Sequence, residues 1–258
     1  MSNLLEESER HEAQAAQERV AYYGRLVSSL DDRPTLLLDV GCGNGYAVKE
    51  WRARGVKSFG VDCSLYRMSR WVNEHPAPIP LVVSDATALP FSEGTFDVVL
   101  SSGMIEHVGV DESSSPYTVR PRPEKSALRR LAISEMVRAS AESGRVLLDF
   151  PNGSFPIDFW HGDNVGAFRI HSIPDALLPS FGDIRKWAGS ARSRAVILPL
   201  SGRLKFRQVG RHLWGRLAAP IMRVVIGLLD VFSRAGMGRF VAPLYPYLVV
   251  ELRKESHA

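Results

Sequence analysis

The stretch "LLLDVGCGNGYAVKEW", residues 36–51, sets three glycines in five positions directly behind a run of leucines. Glycine loses more conformational entropy on ordering than any other residue, so the cluster needs a structural reason. A tight strand-to-helix turn is one. A loop whose bare backbone lets a ligand approach a helix N-terminus is the other, and the surrounding pattern decides between them.

Apolar runs bounded by turn residues recur downstream: "TLLLDV" (35–40), "SFGVD" (58–62), "PLVVSD" (80–85), "FDVVLSS" (96–102) and "GRVLLDFP" (144–151). Most are continuous rather than alternating, as strands buried on both faces of a parallel sheet should be. Helical segments lie between them: "YAVKEWRAR", "YRMSRWVNEH" and "EKSALRRLAISEMVRASAE". In the last of these Ala127, Leu128, Leu131, Ile133, Met136 and Val137 trace an apolar stripe. Residues 4–29 read as a further helix, and 109–123, rich in Ser and Pro, as a loop. "DIRKWA" (183–188) and "LYPYLVVELRK" (244–254) read as two more strands, and "IPDALLPSF" (173–181) as a short helix. The expectation is an α/β fold: a doubly wound, mostly parallel seven-stranded sheet with an N-terminal helix and a helical insertion before the last strand. By segment, 1–33 is helical, 34–189 is the core, 190–240 a basic helical insertion, and 241–258 the final strand and tail.

In such sheets ligands sit at the carboxyl ends of the strands, where strand order reverses. The first strand delivers Asp39 and then Gly41, Gly43 and Gly45; the second ends in Asp62; the third in Asp85 followed by Ala86; the fourth in Ser101 and Ser102. A carboxylate accepts two hydrogen bonds, which suits Asp62 to a pair of ribose hydroxyls and Asp85 to an exocyclic amine. These strand ends fit a nucleoside. The dinucleotide fingerprint asks for glycine or alanine three residues after its second glycine, and Tyr46 stands there instead.

The spacing Asp39, Gly41, Gly43, Gly45, continued by "VSDATALPFSEGTFDVVLSSGMIEHV", resembles the class I S-adenosylmethionine-dependent methyltransferases of the small-molecule group called type 11. The likeness covers residues 34–151. It implies S-adenosyl-L-methionine as cofactor, with Gly41–Gly45 facing its methionine part, Asp62 its ribose, and Asp85 and Ala86 its adenine. Asp39 and Cys63 then lie beside the cofactor, and Ser101 borders the reacting centre. An oxygen nucleophile needs a base. His107 in "IEHVG" matches a position this family commonly fills with histidine, and His161 in "DFWHGD" belongs to a loop beyond the fifth strand. Both are candidate bases, with His171 a third. The "SSGM" after strand four differs from the Asn- or Asp-Pro-Pro-aromatic pattern of enzymes that methylate nucleobase amines.

Cys42 and Cys63 have no metal-type spacing, so neither a disulfide framework nor a metal site is expected, and a reducing, cytoplasmic setting is the default. No run of apolar residues is long enough to span a bilayer. Charge is uneven: twelve Lys or Arg stand between Arg185 and Arg239 against one acid, Asp230. Trp214, Leu217, Ile221, Val225 and Leu229 recur at helical steps there, the composition of an amphipathic surface helix. A substrate lid and a peripheral contact with anionic membrane are both open readings. The expected activity is methyl transfer to a small or lipid-linked acceptor, at oxygen. The alternatives are an RNA methyltransferase using the basic insertion for phosphate, and a non-catalytic cofactor-binding protein.

Overall fold

The computed structural model describes residues 2–27, 35–74, 79–114, 117–161, 168–200 and 213–255. In chain order the elements are α1 (Ser2–Val27), β1 (Leu36–Val40), α2 (Tyr46–Ala53), β2 (Lys57–Asp62), α3 (Leu65–Glu74), β3 (Leu81–Val83) and β4 (Phe96–Ser102). A 3-10 turn (Ile105–His107) and the hairpin β5 (Val110–Ser114) and β6 (Tyr117–Pro121) follow. Then come α4 (Lys125–Ala139), β7 (Ser140–Pro151), β8 (Ile157–Asp158), β9 (Arg169–Ile170), α5 (Phe181–Ser190), β10 (Ser193–Ile197), α6 (Leu213–Phe232) and β11 (Tyr247–Lys254).

Seven strands hydrogen-bond in the order β10-β11-β7-β4-β1-β2-β3. β1 runs parallel to both β2 and β4, β2 parallel to β3, and β10 antiparallel to β11. The doubly wound architecture read from the continuous apolar runs is therefore present. The chain builds outward from β1 through β2 to β3, then returns to place β4 on the other side of β1. That reversal is the switch point at which such sheets bind ligands.

The chain forms two compact units, Met1–Ser101 with Glu135–Val146, and Ser102–Ser134 with Leu147–Ala258. In the first, Leu37, Leu38 and Val40 of β1 are fully buried, as are Val48 and Trp51 of α2 and Val98, Val99 and Leu100 of β4. Each such leucine contributes about 2 kcal/mol of hydrophobic stabilisation. Ala16, Val20, Tyr23 and Val27 form the buried face of α1 at three- and four-residue steps.

Four local readings are corrected. "DIRKWA" is helix α5, because Ser180 and Asp183 make a reciprocal capping box and Phe181, Ile184, Trp187 and Ala188 recur at helical spacing on its buried face. The strand expected there is supplied by β10, inside the basic segment 190–240. Residues 173–180 are irregular instead of helical, since the Asp175 side chain accepts the backbone N–H groups of Leu177 and Leu178. The 109–123 loop is an antiparallel hairpin with Glu112 opposite Val119. In α4 Ala127 and Leu131 are exposed, and Arg129 and Ala132 are buried in their place.

Candidate functional site

In the first unit the glycine loop opens directly from β1. Gly41, Gly43 and Gly45 all have positive φ (78°, 58° and 78°), the region L side chains avoid, and Gly45 precedes the first turn of α2. The loop is tied down by its neighbours. The N–H groups of Gly41 and Cys42 both donate to the Val61 carbonyl at 2.8 and 3.0 Å, and the Trp71 indole donates to the Gly43 carbonyl at 2.8 Å. A Cβ at Gly43 would stand 3.0 Å from the Arg67 guanidinium.

Asp62 ends β2 with both carboxylate oxygens oriented. Oδ2 accepts from the Gly43 N–H and Oδ1 from the Ser64 N–H, each at 2.9 Å. Each oxygen keeps a lone pair for a further donor. Asp85 follows β3 on the exposed surface, where its Oδ1 accepts from the Thr87 backbone and hydroxyl at 2.8 and 2.7 Å; Ala86 lies within that turn. Asp39 is fully buried within β1, and Ser101 is buried at the end of β4. The Ser101 hydroxyl has no hydrogen-bond partner among the described residues. All nine positions predicted to surround a nucleoside cofactor thus belong to this one unit. The positive-φ cradle, the oriented Asp62 and the unpartnered Ser101 hydroxyl fit S-adenosylmethionine.

Both cysteine thiols are pushed above their ordinary value. Cys42 is buried against Val48 and Trp71, and Gly60 of β2 exists to admit it: a Cβ there would lie 2.7 Å from its sulfur. Burial first, then the charges of Asp39 and Asp62, push its thiol well above the usual value. Cys63 is exposed beside Asp62, and partial burial with Asp62 and Asp85 raises its thiol too.

Sequence reasoning missed two supports of this loop. Asn44 donates to Glu12 of α1 at 2.7 Å, and Glu12 also reaches Arg67 at 3.6 Å. Trp71 belongs to α3, whose tryptophan reads in sequence as ordinary core.

The second unit gathers the candidate bases. Glu106 and His107 occupy the 3-10 turn, and the His107 and His161 rings lie 5.3 Å apart between centroids. His161 Nδ1 is 2.9 Å from Asp158 Oδ2, and Asp158 Oδ1 accepts the Trp160 and His161 N–H groups at 2.9 and 3.3 Å. Arg169 reaches the same carboxylate at 3.1 Å and makes a two-pronged pair with Asp175, both bonds 2.9 Å. Burial alone would raise the Asp158 carboxyl, but the hydrogen bond and charge of His161, the Trp160 N–H and Arg169 outweigh it and hold it at about 2. Glu106 is 1% exposed, and that burial pushes its carboxyl up against the lowering effect of His107.

His171 is placed elsewhere, with Nδ1 2.9 Å from the Ser172 carbonyl and 3.6 Å from Asp175. Asp149 accepts from the Ser102 hydroxyl at 2.7 Å and from Tyr247, bracing β7. Arg129 of α4 is the support that sequence missed here. Buried at 1% exposure, it donates to the carbonyls of Val108 (3.0 Å), Leu177 (2.7 Å) and Glu106, pinning the turn that carries Glu106 and His107. Its only sequence signal is its place between Ile133 and Leu128 on the apolar side of α4.

Residues 38–148 match the Methyltransferase domain family of type 11. An uncharacterized methyltransferase of Mycobacterium leprae is 30% identical over 232 residues, covering 81% of this chain and 76% of that protein. The chain belongs to the class I S-adenosylmethionine-dependent methyltransferases of type 11. A tRNA U34 carboxymethyltransferase of Pseudomonas savastanoi is 35% identical over 95 residues, 33% of this methyltransferase and 28% of that protein. Among solved structures, an amino pentose methyltransferase from Micromonospora echinaspora with bound S-adenosylmethionine shares the fold. Its TM-score is 0.56 at 16% identity, covering 78% of this methyltransferase and 93% of that chain. This methyltransferase uses S-adenosylmethionine as its methyl donor. Among the described residues, no helix is long and apolar enough to cross a membrane.

Proposed function

We propose that this methyltransferase transfers the methyl group to a hydroxyl oxygen of a small or lipid-linked acceptor. The observation that carries the oxygen assignment is the His161–Asp158 pair beside His107. Bonded to Asp158 through Nδ1, His161 is held in one tautomer, with Nε2 as the atom that takes the proton. An amine acceptor needs only its neutral form, whereas a hydroxyl must lose its proton as it attacks.

S-adenosylmethionine supplies a methyl group already activated by its sulfonium, so the protein's task is alignment and proton removal. Asp62 accepts from the two ribose hydroxyls while the Gly43 and Ser64 N–H groups hold it in place. The glycine loop, Gly41–Gly45, admits the methionine portion. Asp85 and Ala86 border the adenine, and Cys63 and Ser101 line the same pocket with Asp39 behind them. His161 receives the hydroxyl proton as the new C–O bond forms and the S–C bond breaks.

The lipid-linked class is supported by α6. Ile221 (66% exposed), Val224 (65%), Val225, Leu228 (57%), Val231 (58%) and Phe232 form one outward stripe at three- and four-residue steps. Ile226, Leu229 and Asp230 are buried instead, with Asp230 accepting from the Leu200 N–H and the Tyr245 hydroxyl. The expected stripe is thus corrected at Leu229, which faces inward; the side chains of Trp214 and Leu217 lie outside the described ones. A solvent-facing helix normally turns polar residues outward. An apolar face on a segment carrying exposed Arg223, Arg234 and Arg239 suits the surface of an anionic membrane, where each basic residue adds about 1 kcal/mol.

The test is incubation with methyl-radiolabelled cofactor and a cell extract separated into lipid, aqueous small-molecule and RNA fractions. Label in the lipid or small-molecule fraction, linked through oxygen, is expected. Label confined to RNA would favour the alternative in which the basic segment holds phosphate. Cofactor binding with label in no fraction would leave a non-catalytic cofactor-binding protein.

A further inference from the structure

We infer that Glu106, His107 and His161 form a binding site for one divalent transition-metal cation, with Asp158 bracing His161 behind it. One ligand atom of each of the three lies within 4.8 Å of the other two. Bonds of about 2.0–2.2 Å to a common ion set ligand atoms roughly 3.5 Å apart, so modest side-chain rotation closes the set. Two imidazoles and one carboxylate match the preferences of zinc, cobalt and iron in the divalent state better than those of magnesium or calcium.

Two features beyond proximity point to a ligand. Glu106 is 1% exposed, yet its Oε2 has no hydrogen-bond partner among the described residues. A buried carboxylate oxygen left unbonded is costly, and a cation is the partner that best offsets its charge. Second, His161 donates through Nδ1 to Asp158, which is itself fully buried and held by Arg169. This carboxylate–histidine arrangement is the one that orients metal-ligating imidazoles, with Nε2 as the ligating atom. Arg129 fixes the backbone of the turn that carries the other two ligands. No metal was expected from the sequence, because Glu106 and His107 stand far along the chain from His161 and the cysteine spacing is not of metal type.

Three protein ligands leave coordination positions open for an acceptor hydroxyl, which loses its proton to solvent on binding. In the ion-bound chain His161 is a ligand and the proton goes to solvent, whereas in the metal-free chain His161 Nε2 takes it. This role rests on the hydroxyl-acceptor reading; the metal site does not.

The test is a titration of the tag-free, chelator-stripped chain with Co2+, followed by calorimetry and by the visible ligand-field absorption of the bound ion. One Co2+ per chain is expected, with an absorption band showing nitrogen ligation. His107→Ala, His161→Ala and Glu106→Gln should each weaken binding at least tenfold, and Asp158→Asn by about 10–100-fold. The spectrum of the unaltered protein decides the matter even where a variant fails to fold. Absence of saturable binding, or binding unchanged in the His107→Ala, His161→Ala double variant, overturns the site. The titration uses neither cofactor nor acceptor. A chain that binds Co2+ but methylates no hydroxyl therefore contradicts the acceptor reading alone, and one that methylates a hydroxyl without binding Co2+ contradicts the metal site alone.

Discussion

Asp62 meets two demands with one carboxylate. Its oxygens accept the N–H groups of Gly43 and Ser64, which fixes the glycine loop to the end of β2, and each retains a lone pair for the ribose hydroxyl proposed to bind there. Arg129 does comparable work in the second unit, where a buried guanidinium satisfies three carbonyls around the Glu106–His107 turn. Replacing it removes the donors and leaves those carbonyls buried without partners. Arg129→Met is expected to lower unfolding stability by about 3 kcal/mol or more, read from urea denaturation, whereas Arg130→Met on the exposed side of α4 should change it by less than about 0.5 kcal/mol. At this scale the glycine loop and the acids that end β2 and β3 were legible, because strand-end acids and clustered glycines have few other reasons to occur together. Arg129 and Asp158 were not. An arginine in a helix reads as solvated, and nothing in "PIDFWHGD" separates a loop aspartate from one that orients a histidine.

Among the elements, β1 to β4 and β7 were legible from their continuous apolar runs, which only burial on both sheet faces explains. Failures came where capping chemistry outweighed apolar pattern. Ser180 and Asp183 start a helix in "DIRKWA", and hydrogen bonds to Asp175 replace a helix in "IPDALLPSF". α6 shows a third limit, since periodicity gives the spacing of an apolar face but not its direction. Leu229 packs inward beside Asp230, while Val224, Leu228 and Val231 face outward. If that outward face meets anionic lipid, the chain should co-sediment with vesicles containing phosphatidylserine more than with neutral ones, and added salt should weaken the attraction. A Val224→Asp, Leu228→Asp variant should lose this binding and keep its thermal midpoint, because neither side chain is buried. Equal sedimentation of the variant and the unaltered chain would remove α6 as the contact.

At the scale of the whole molecule, the predicted cofactor positions and the candidate base fall in different compact units. Residues 1–101 with 135–146 carry every predicted cofactor position, and residues 102–134 with 147–258 carry Glu106, His107, His161 and Asp158. The division was not legible in the sequence, where residues 34–151 resemble one continuous family domain and His161 lies just beyond it. Asp62→Ala and His161→Ala therefore separate cofactor binding from proton removal, read by calorimetry and by turnover of an acceptor that the unaltered chain methylates. Asp62→Ala is expected to weaken S-adenosylmethionine binding at least tenfold, about 1.4 kcal/mol, whereas His161→Ala should leave affinity unchanged and lower turnover by about a hundredfold. Unchanged cofactor affinity in Asp62→Ala would contradict the ribose role of Asp62, and full turnover in His161→Ala would contradict proton removal by His161.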